Sequence, residues 1–494
     1  MKTVLLSGTG VTVEDVAAAA RRGARVKVTP AVVERLEKAR KVLDHVAASG
    51  QKIYGLNTGL GANLGTSIRD DASAFQRQLV EGRSGAVGEA LPVEIARATM
   101  FARAAMLAAG GSGISPHVFA ALVAALNAGV HPVMPSLGSI GASDLLVMTG
   151  LARLLIGEGE AEFKGERLAT GEALSRAGLK PVTLAPKDGL SLISASAVSA
   201  GHGALAVADA LQAFDQQQQA GALTMEGIDA NRSILDARLQ AVRPAFGQEQ
   251  AAEGLRALLD GDRLAEPKTL QDPLSIRCMA SIHGALLSAI ERARAAVETE
   301  LNAAADNPLV LVEDGVVLST GNFHTAALAL AFEGLGLAVA QAAAASAARF
   351  VQLTGSGRNG LPKYLSPVGG ASAGFVPLQK AVSAILAAIR HKANPVALDF
   401  LPVSEGVEDH ATQTPLAVAK CAQMVALWRR LIAFELMAAA QAVDLRGISI
   451  RLAPGTAAVH ARVRKLVGPL GEDRPLGPDA DALYGALSSG KWQA

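Results

Sequence analysis

Residues 138–152 read GSIGASDLLVMTGLA, and this stretch joins a turn of small residues to an apolar segment. The turn Gly141–Ser143 comes directly before one acid, Asp144, and the residues after it have the composition of a buried helix. No Asp, Glu, Lys or Arg stands between residues 104 and 143, so this carboxylate follows a long uncharged part of the chain. The role of the Asp144 carboxylate at this junction depends on the motifs in the rest of the sequence.

Composition limits the classes of protein to consider. The chain has 494 residues and a net charge of +1, so no charge excess points to nucleic acid or to a membrane surface. Cys278 and Cys421 show neither a disulfide framework nor metal-type spacing, which favours a reduced, cytoplasmic setting and predicts no metal. The first residues are too weakly apolar for a signal peptide, and residues 104–143 are interrupted by GGSGISP and HPVMPSLG, so we expect no membrane span.

Long helices dominate the predicted fold. Hydrophobic residues make up 50% of the chain and aromatic ones only 3%, which favours closely packed helices rich in Ala, Leu and Val. Residues 281–308, 324–353 and 414–446 are each about 30 residues long, with apolar positions around most of the helix. Asp314-Gly315 between two β-branched runs predicts a small hairpin. The sequence therefore predicts a mainly α fold with long central helices and small β-hairpins.

Two glycine- or proline-containing stretches could carry chemistry, and each also has a structural interpretation. IYGLNTGLGANLG, residues 53–65, places Tyr54 beside Asn57 and Gly61 on a loop, where the tyrosine could act as a general base or simply pack a turn. LQDPLSIRC, residues 270–278, places Arg277 behind a proline turn, where its guanidinium could bind a carboxylate or form a surface salt bridge.

Two further stretches precede long apolar segments. STGNFH groups Asn322, Phe323 and His324, and its asparagine could cap a helix. PVSEGVEDHATQ concentrates acids, including Glu408, together with His410, and could be a solvated helix N-terminus. Neither stretch assigns a function by itself.

The ordered set of motifs resembles one enzyme family. YGLNTGLG, GSIGAS, QDPLSIRC, ADNPLV, GNFH and EDH occur in this order over some 350 residues. They are similar to the motifs of the histidine and aromatic amino acid ammonia-lyases. The resemblance implies a mainly α-helical subunit with a bundle of long central helices. It also implies a homotetramer whose active sites are shared between subunits, acting on a small-molecule amino acid.

The resemblance also implies roles for individual residues. In that family the tyrosine matching Tyr54 removes the β-proton, and an Ala-Ser-Gly triplet cyclises into a methylidene-imidazolone electrophile that captures the amine. The arginine matching Arg277, in the motif that starts at Gln271, holds the substrate carboxylate with help from the asparagine matching Asn322. Phe323 matches a residue beside the electrophile. The glutamate matching Glu408 lies at the amine or side-chain end, and the loop residues Asn57 and Gly61 line the substrate.

Several positions depart from the family pattern. Ala142-Ser143-Asp144 stands where the family has Ala-Ser-Gly followed by Asp, as if the glycine were deleted. Ring closure needs the nitrogen of the third residue to reach the carbonyl of the first, and glycine permits that approach because it has no Cβ. Ser194 replaces the asparagine that supports the electrophile, Leu274 a tyrosine, and Arg83 a histidine that helps to set side-chain specificity.

The changes converge on the electrophile, whereas the base and the carboxylate anchor are retained. A trimethylammonium group is already a cationic leaving group and needs no covalent activation, so a betaine substrate would make the ring unnecessary. Lys380 shares a helix face with Val376, which matches a substrate-pocket position, and together with Glu408 it could bind a polar heteroaromatic ring. A lysine extending to solvent is the alternative. This combination resembles ergothionase, the branch that releases trimethylamine from the betaine of 2-thiohistidine.

The resulting hypothesis is a carbon–nitrogen lyase that eliminates an amine from a histidine-like betaine without a cofactor, with Ser143 and Asp144 in the altered catalytic segment. One alternative is a conventional ammonia-lyase whose methylidene-imidazolone forms from Ala142, Ser143 and Asp144. The other is a catalytically inactive binding homologue. We expect residues 1–200 to form a mixed N-terminal domain with the base loop and the altered segment, and residues 201–494 to form the long-helix bundle and the C-terminal helices.

Overall fold

A computed structural model describes residues 3–68, 71–260, 269–355, 360–398 and 400–492. Within these ranges the chain is mainly helical, as its composition predicts. The α-helices of the described residues are, in chain order, α1 (Val13–Arg21), α2 (Pro30–Ala48), α3 (Ala72–Gly82), α4 (Val93–Ala109), α5 (Pro116–Ala128), α6 (Leu145–Ile156), α7 (Thr170–Arg176), α8 (Asp188–Ile193), α9 (Ala197–Ile228), α10 (Ala237–Ala241), α11 (Gln248–Leu259), α12 (Leu274–Arg277), α13 (Met279–Leu301), α14 (Ala326–Leu353), α15 (Val376–Lys392), α16 (Thr414–Leu445), α17 (Pro454–Leu466) and α18 (Gly477–Ser488).

The strands are short and form small separate sheets. They are β1 (Thr3–Leu6), β2 (Arg25–Val28), β3 (Val87–Ala90), β4 (Val130–Pro132), β5 (Pro135–Leu137), β6 (Glu160–Phe163), β7 (Glu166–Ala169), β8 (Leu309–Leu311) and β9 (Val316–Leu318). β1 pairs with β2 in parallel, whereas β3 with β5, β4 with β6, β6 with β7, and β8 with β9 are antiparallel. The hairpin predicted at Asp314-Gly315 is confirmed as β8–β9, with Gly315 in the left-handed region at φ 65°.

The four longest helices of the described residues are α9, α13, α14 and α16. The three predicted long segments are confirmed as α13, α14 and α16, and α9, which spans 32 residues, was not singled out in the sequence. By length and apolar composition alone, Asp188–Ile228 and Ala326–Leu353 could cross a membrane. The apolar window of the first is 94% buried inside the protein, which is the behaviour of a core helix.

The chain divides into two compact units that interleave in sequence. Unit 1 comprises Met1–Ala208, Ala293–Phe332 and Pro395–Ala419, and unit 2 comprises Asp209–Arg292, Glu333–Asn394 and Lys420–Ala494. The division into domains at residue 200 stays a prediction.

In unit 1 a buried cluster supports the loop that carries Tyr54. Ile53 and Leu56 pack with Leu43 of α2 and with Val310 and Val317 of the β8–β9 hairpin. The burial of apolar side chains on both sides of Tyr54 fixes the loop to the body of unit 1.

In unit 2 one buried carboxylate joins three long helices. Glu435 of α16 accepts hydrogen bonds from Arg349 of α14, at 2.6 Å from Nε and 3.0 Å from Nη2, and from Ser346 at 2.5 Å. Gln217 and Thr224 of α9 each donate to it at 3.0 Å. All five side chains are buried. Both carboxylate oxygens of Glu435 accept hydrogen bonds, and the donors belong to α9 and α14. The network therefore sets the register of α9, α14 and α16.

Replacing Glu435 should therefore destabilise the protein strongly. We expect Glu435→Leu to lower the free energy of unfolding by about 3–5 kcal/mol, because Arg349 would be left as a buried charge without its partner. Denaturant unfolding followed by circular dichroism measures the loss. The matched control is Glu34→Leu, whose partner Lys38 is exposed, with an expected change below about 0.5 kcal/mol. Equal losses in the two variants would contradict the assignment.

Candidate active site

The base loop, residues 53–61, presents the Tyr54 hydroxyl to a backbone donor. The N–H of Gly61 donates to Tyr54 Oη at 3.0 Å. Gly61 has φ +58°, a left-handed conformation that favours glycine. The Asn57 side chain accepts from the Ile53 N–H at 2.7 Å and donates to the Gln51 carbonyl at 2.8 Å. The Asn57 amide therefore braces the loop, and the hydrogen bond from Gly61 fixes the position of the Tyr54 hydroxyl.

Gln76 of α3 is a supporting residue that the sequence did not reveal. It is fully buried, donates to the Gly55 carbonyl at 2.9 Å and accepts from the Leu190 N–H at 3.1 Å. At Gly55, which has φ +68°, an added Cβ would lie 2.4 Å from Leu190 Cδ2. The base loop is thus held tightly against α8, and a lone glutamine in an amphipathic helix gives no sequence signal of this role.

The carboxylate of Asp144 joins the starts of two helices. Asp144 is the N-terminal cap residue of α6, and its Oδ2 accepts from the backbone N–H of Ser199, in the first turn of α9, at 2.7 Å. Its Oδ1 accepts from the hydroxyls of Ser139 at 2.8 Å and Ser199 at 3.1 Å. The side chain is fully buried. Burial raises the pKa of Asp144, and the hydrogen bonds from Ser199 and Ser139 oppose that shift.

The altered segment, residues 141–144, also makes contacts through its backbone. The Asp144 N–H donates to the Ala195 carbonyl at 3.0 Å, next to Ser194 at the end of α8. Ser143 is buried and has φ 63°, which is unusual for a residue with a side chain. An added Cβ at Gly141, with φ +86°, would lie 2.0 Å from Thr412 Oγ1. The segment is therefore closely packed on both sides.

Glu300, near the end of α13, is a second carboxyl group of this region that the sequence did not reveal. Burial, and after it the negative charge of Asp144, raises the pKa of Glu300 to about 7. Perturbed carboxyl groups cluster at functional sites, although structural packing also produces them. The sequence signal was weak because Glu300 stands among other charged residues of a helical segment.

The acidic loop, residues 400–413, reaches both the base loop and the altered segment. Ser404 Oγ donates to Glu408 Oε2 at 2.5 Å, and an added Cβ at Gly61 would lie 3.9 Å from the Ser404 side chain. At the other end of the loop, Thr412 Oγ1 donates to the Gly141 carbonyl at 3.1 Å. The structure thus brings the surroundings of Tyr54, Glu408 and Asp144 together in unit 1.

The turn Asn322–His324 adjoins the same segment. His324 forms an isolated β-bridge with Ala142, and the Phe323 carbonyl accepts from Ser196 Oγ at 3.1 Å. Asn322 is exposed and does not cap α14, because it lies four residues before the first helical residue, Ala326. Its backbone N–H donates to Thr320 Oγ1 at 3.1 Å.

The other predicted site residues are distributed over both units. In unit 1, Arg83 is half-buried directly after α3, and Ser194 is buried. In unit 2, Arg277 Nη1 donates to Gln271 Oε1 at 2.7 Å, and no carboxylate lies in ion-pair contact with Arg277 among the residues that the structure describes.

The remaining predicted site residues of unit 2 lie on α12 and α15. Leu274, the first residue of α12, is 61% exposed. On α15, Val376 is half-buried and Lys380 is exposed. The proposed partnership of Lys380 with Glu408, which belongs to unit 1, stays a prediction. Within the described ranges no group of three or more His, Cys, Asp and Glu side chains is placed to hold a metal ion.

Comparison with known proteins identifies the family. The model of the aromatic amino acid lyases matches residues 11–465. The chain belongs to that family. Histidine ammonia-lyase of Anaeromyxobacter sp. (strain K) is 40% identical over 505 residues, covering 99% of each chain. The same enzyme of Symbiobacterium thermophilum is 38% identical over 489 residues, covering 98% of this chain and 96% of the relative.

Solved structures of this lyase family share the fold. Ergothionase of Treponema denticola, an ergothioneine-degrading enzyme solved in complex with desmethyl-ergothioneine sulfonic acid, superposes with a TM-score of 0.95 at 32% identity over 99% of each chain. Histidine ammonia-lyase of Trypanosoma cruzi gives a TM-score of 0.92 at 32% identity, covering 100% of this chain and 94% of the other. The predicted ammonia-lyase fold is confirmed, and the protein is a carbon–nitrogen lyase of the histidine ammonia-lyase type.

Removal of the Asp144 carboxylate should destabilise the protein. We expect Asp144→Ala to lower the free energy of unfolding by on the order of 2–3 kcal/mol, because it leaves the buried N–H and hydroxyl of Ser199 without their acceptor and removes one of the two acceptors of the Ser139 hydroxyl. Thermal and denaturant unfolding measure the loss. Ser139→Ala, which removes one donor and keeps the carboxylate, is the control and should cost about 1 kcal/mol. An Asp144→Ala loss no larger than the control would contradict this role.

The raised pKa of Glu300 predicts a pH-dependent contribution to stability. The folded state, with a Glu300 pKa of about 7, holds a proton that the unfolded state, at about 4.5, has released, so the contribution of Glu300 falls as the pH rises between these values. We expect the stability of Glu300→Gln relative to the wild type to rise from pH 5 to pH 8 by on the order of 2 kcal/mol. Unfolding measured at both pH values tests this, and a constant difference would refute it.

Proposed function

We propose that this lyase eliminates trimethylamine from a histidine-like betaine without forming the methylidene-imidazolone. The observation that carries the proposal is the arrangement of Asp144. Its backbone nitrogen, which ring closure would direct at the Ala142 carbonyl, donates to Ala195, and its carboxylate is held by Ser139 and Ser199. Residues 142–144 therefore do not fit the ring, and no step of the proposed reaction passes through it.

The proposed reaction needs a base and a carboxylate anchor. Tyr54 removes the β-proton, the electrons of the C–H bond form the double bond between the α- and β-carbons, and the C–N bond breaks. The departing nitrogen takes the bonding pair and leaves as neutral trimethylamine, so no acid has to protonate it. The hydrogen bond from Gly61 supports Tyr54 as the base because it holds the phenolic oxygen in a defined position.

Charged groups are available for the two ends of the substrate. Arg277 binds the carboxylate in this proposal, with Asn322 as a second donor and Gln271 orienting the guanidinium. Glu408 and Lys380 flank the heteroaromatic ring, beside Arg83, Leu274 and Val376. The likeness to the T. denticola ergothionase supports a substrate of this kind.

A conventional histidine ammonia-lyase is the second candidate. The relatives of that name at 38% and 40% identity favour it. In that case the electrophile would form from Ala142, Ser143 and Asp144, and the enzyme would release ammonia from a free amino acid.

Amine release from matched substrates separates the candidates. We expect trimethylamine from 2-thiohistidine betaine or histidine betaine, and no ammonia from free histidine or aromatic amino acids. The intact mass of the protein should match the unmodified sequence. Ammonia release together with a mass lower by two waters would establish the conventional enzyme. Absence of turnover over the whole panel would support an inactive binding homologue.

The role of Tyr54 as the base is tested by a variant that lacks its hydroxyl oxygen. Tyr54→Phe should lower kcat for the betaine by on the order of 10²–10⁴-fold, because general-base catalysis contributes about that much. The control is Tyr484→Phe on α18, which should retain activity. Full activity of Tyr54→Phe would exclude this residue as the base.

We further propose a homotetramer with shared active sites. Large apolar side chains near the predicted site positions are strongly exposed in the single chain, among them Leu274 at 61% and Leu401 at 78%. Exposed apolar groups of this size are typical of subunit contacts. Light scattering coupled to size-exclusion chromatography should give four times the mass of one chain, and a monomer would refute the assembly.

A further inference from the structure

Three aromatic rings of unit 1 lie together beside the altered segment. The rings of His324 and His410 have centroids 4.9 Å apart, and those of Phe400 and His410 are 5.4 Å apart. We call these three residues the aromatic cluster. Phe400 is 37% exposed and His410 is exposed, so ring surface remains free for a ligand.

Two connections, one between backbones and one from a side chain, place the aromatic cluster against residues 141 and 142. His324 forms a β-bridge with Ala142, and Thr412, two residues after His410, donates to the Gly141 carbonyl at 3.1 Å. In the proposed reaction the substrate amine faces residues 142–144, where the family electrophile would capture it. The aromatic cluster therefore borders the position of the leaving group.

The two imidazoles share one hydrogen bond in this arrangement. His324 Nε2 lies 3.0 Å from His410 Nδ1. A hydrogen bond between two ring nitrogens needs one N–H donor and one bare acceptor, which a pair of neutral imidazoles provides. The cluster thus offers aromatic surface without requiring a positive charge that would repel a cation.

Uncharged aromatic surface of this kind is suited to binding a quaternary ammonium group. Such a group carries no N–H and cannot donate an ordinary hydrogen bond, so proteins recognise it through aromatic faces and nearby negative charge. We propose that Phe400, His410 and His324 form the subsite for the trimethylammonium group of the substrate. This inference rests on the proposed function and adds to it the residues that select a quaternary amine.

The test uses the full-length enzyme and a pair of probes of nearly equal shape. Choline is the cationic probe, and 3,3-dimethylbutan-1-ol, which has carbon in place of nitrogen, is the neutral one. We expect choline to inhibit betaine turnover competitively and more strongly than the neutral alcohol. Phe400→Leu, which keeps apolar volume but removes the ring, should weaken choline inhibition about 3- to 30-fold and leave the alcohol unchanged.

The KM values of the same variants for the betaine substrate give an independent readout. Phe400→Leu should raise KM for the betaine by a similar factor, whereas Phe400→Tyr should keep it near the wild-type value because the aromatic face is retained. Phe246→Leu, at a position 65% exposed in unit 2, is the control for loss of a surface phenyl ring. Circular dichroism and thermal unfolding check that each variant is folded.

The outcomes separate this inference from the proposed function. If the wild type releases trimethylamine and Phe400→Leu matches it in KM and choline inhibition, the aromatic subsite is wrong and the proposed function stands. If the wild type acts on no betaine but choline binding, measured by calorimetry, depends on Phe400, the proposed function is wrong and the cation subsite stands. Equal binding of choline and the neutral alcohol would overturn the inference.

Discussion

The buried carboxylate of Asp144 is the constraint on which the candidate site depends. It caps the N-terminus of α9 through Ser199 and holds the turn before α6 through Ser139, so one carboxylate fixes the start of α9 and the turn that leads into α6. A carboxylate is suited to this position because the first backbone N–H groups of a helix have no partner within the helix and carry partial positive charge. The same contacts fix the peptide of Asp144 and hence the geometry of Ala142 and Ser143.

The acidic loop connects the surroundings of Asp144 with the loop that carries Tyr54. Thr412 is bonded to Gly141 at one end, and Ser404 lies beside Gly61 near the other, with Glu408 between them in sequence. Gly61 in turn donates to the hydroxyl of Tyr54. Three loops from distant parts of the sequence therefore lie together: a hydrogen bond joins the acidic loop to Gly141, and Ser404 lies beside Gly61 of the base loop. The rigid helices behind them provide the precision that elimination chemistry requires.

Much of the fold could be predicted from the sequence. The apolar periodicity of α13, α14 and α16 is strong because these helices are long and buried on several sides, and the Asp-Gly turn of β8–β9 has a conformational requirement of its own. The motifs also placed the chain in the correct enzyme family, and the altered triplet was visible as residue identities alone. α9 was not recognised as a long helix, because its polar residues, such as Gln217, are buried among other helices and not arranged on one solvent face.

The sequence by itself thus determined the fold class, the family and the departure of Ala142-Ser143-Asp144 from the family pattern. Only the tertiary structure decided what Asp144 binds, that Gln76 and Asn57 brace the base loop, and that Phe400, His410 and His324 form one aromatic cluster. The physical reason is the range of the interactions. Helix periodicity and turn chemistry act between residues close in the chain, whereas the hydrogen bonds of Asp144 with Ser199, Gln76 with Leu190 and His324 with His410 join residues 55, 114 and 86 positions apart. One sequence carries no record of which distant polar groups meet.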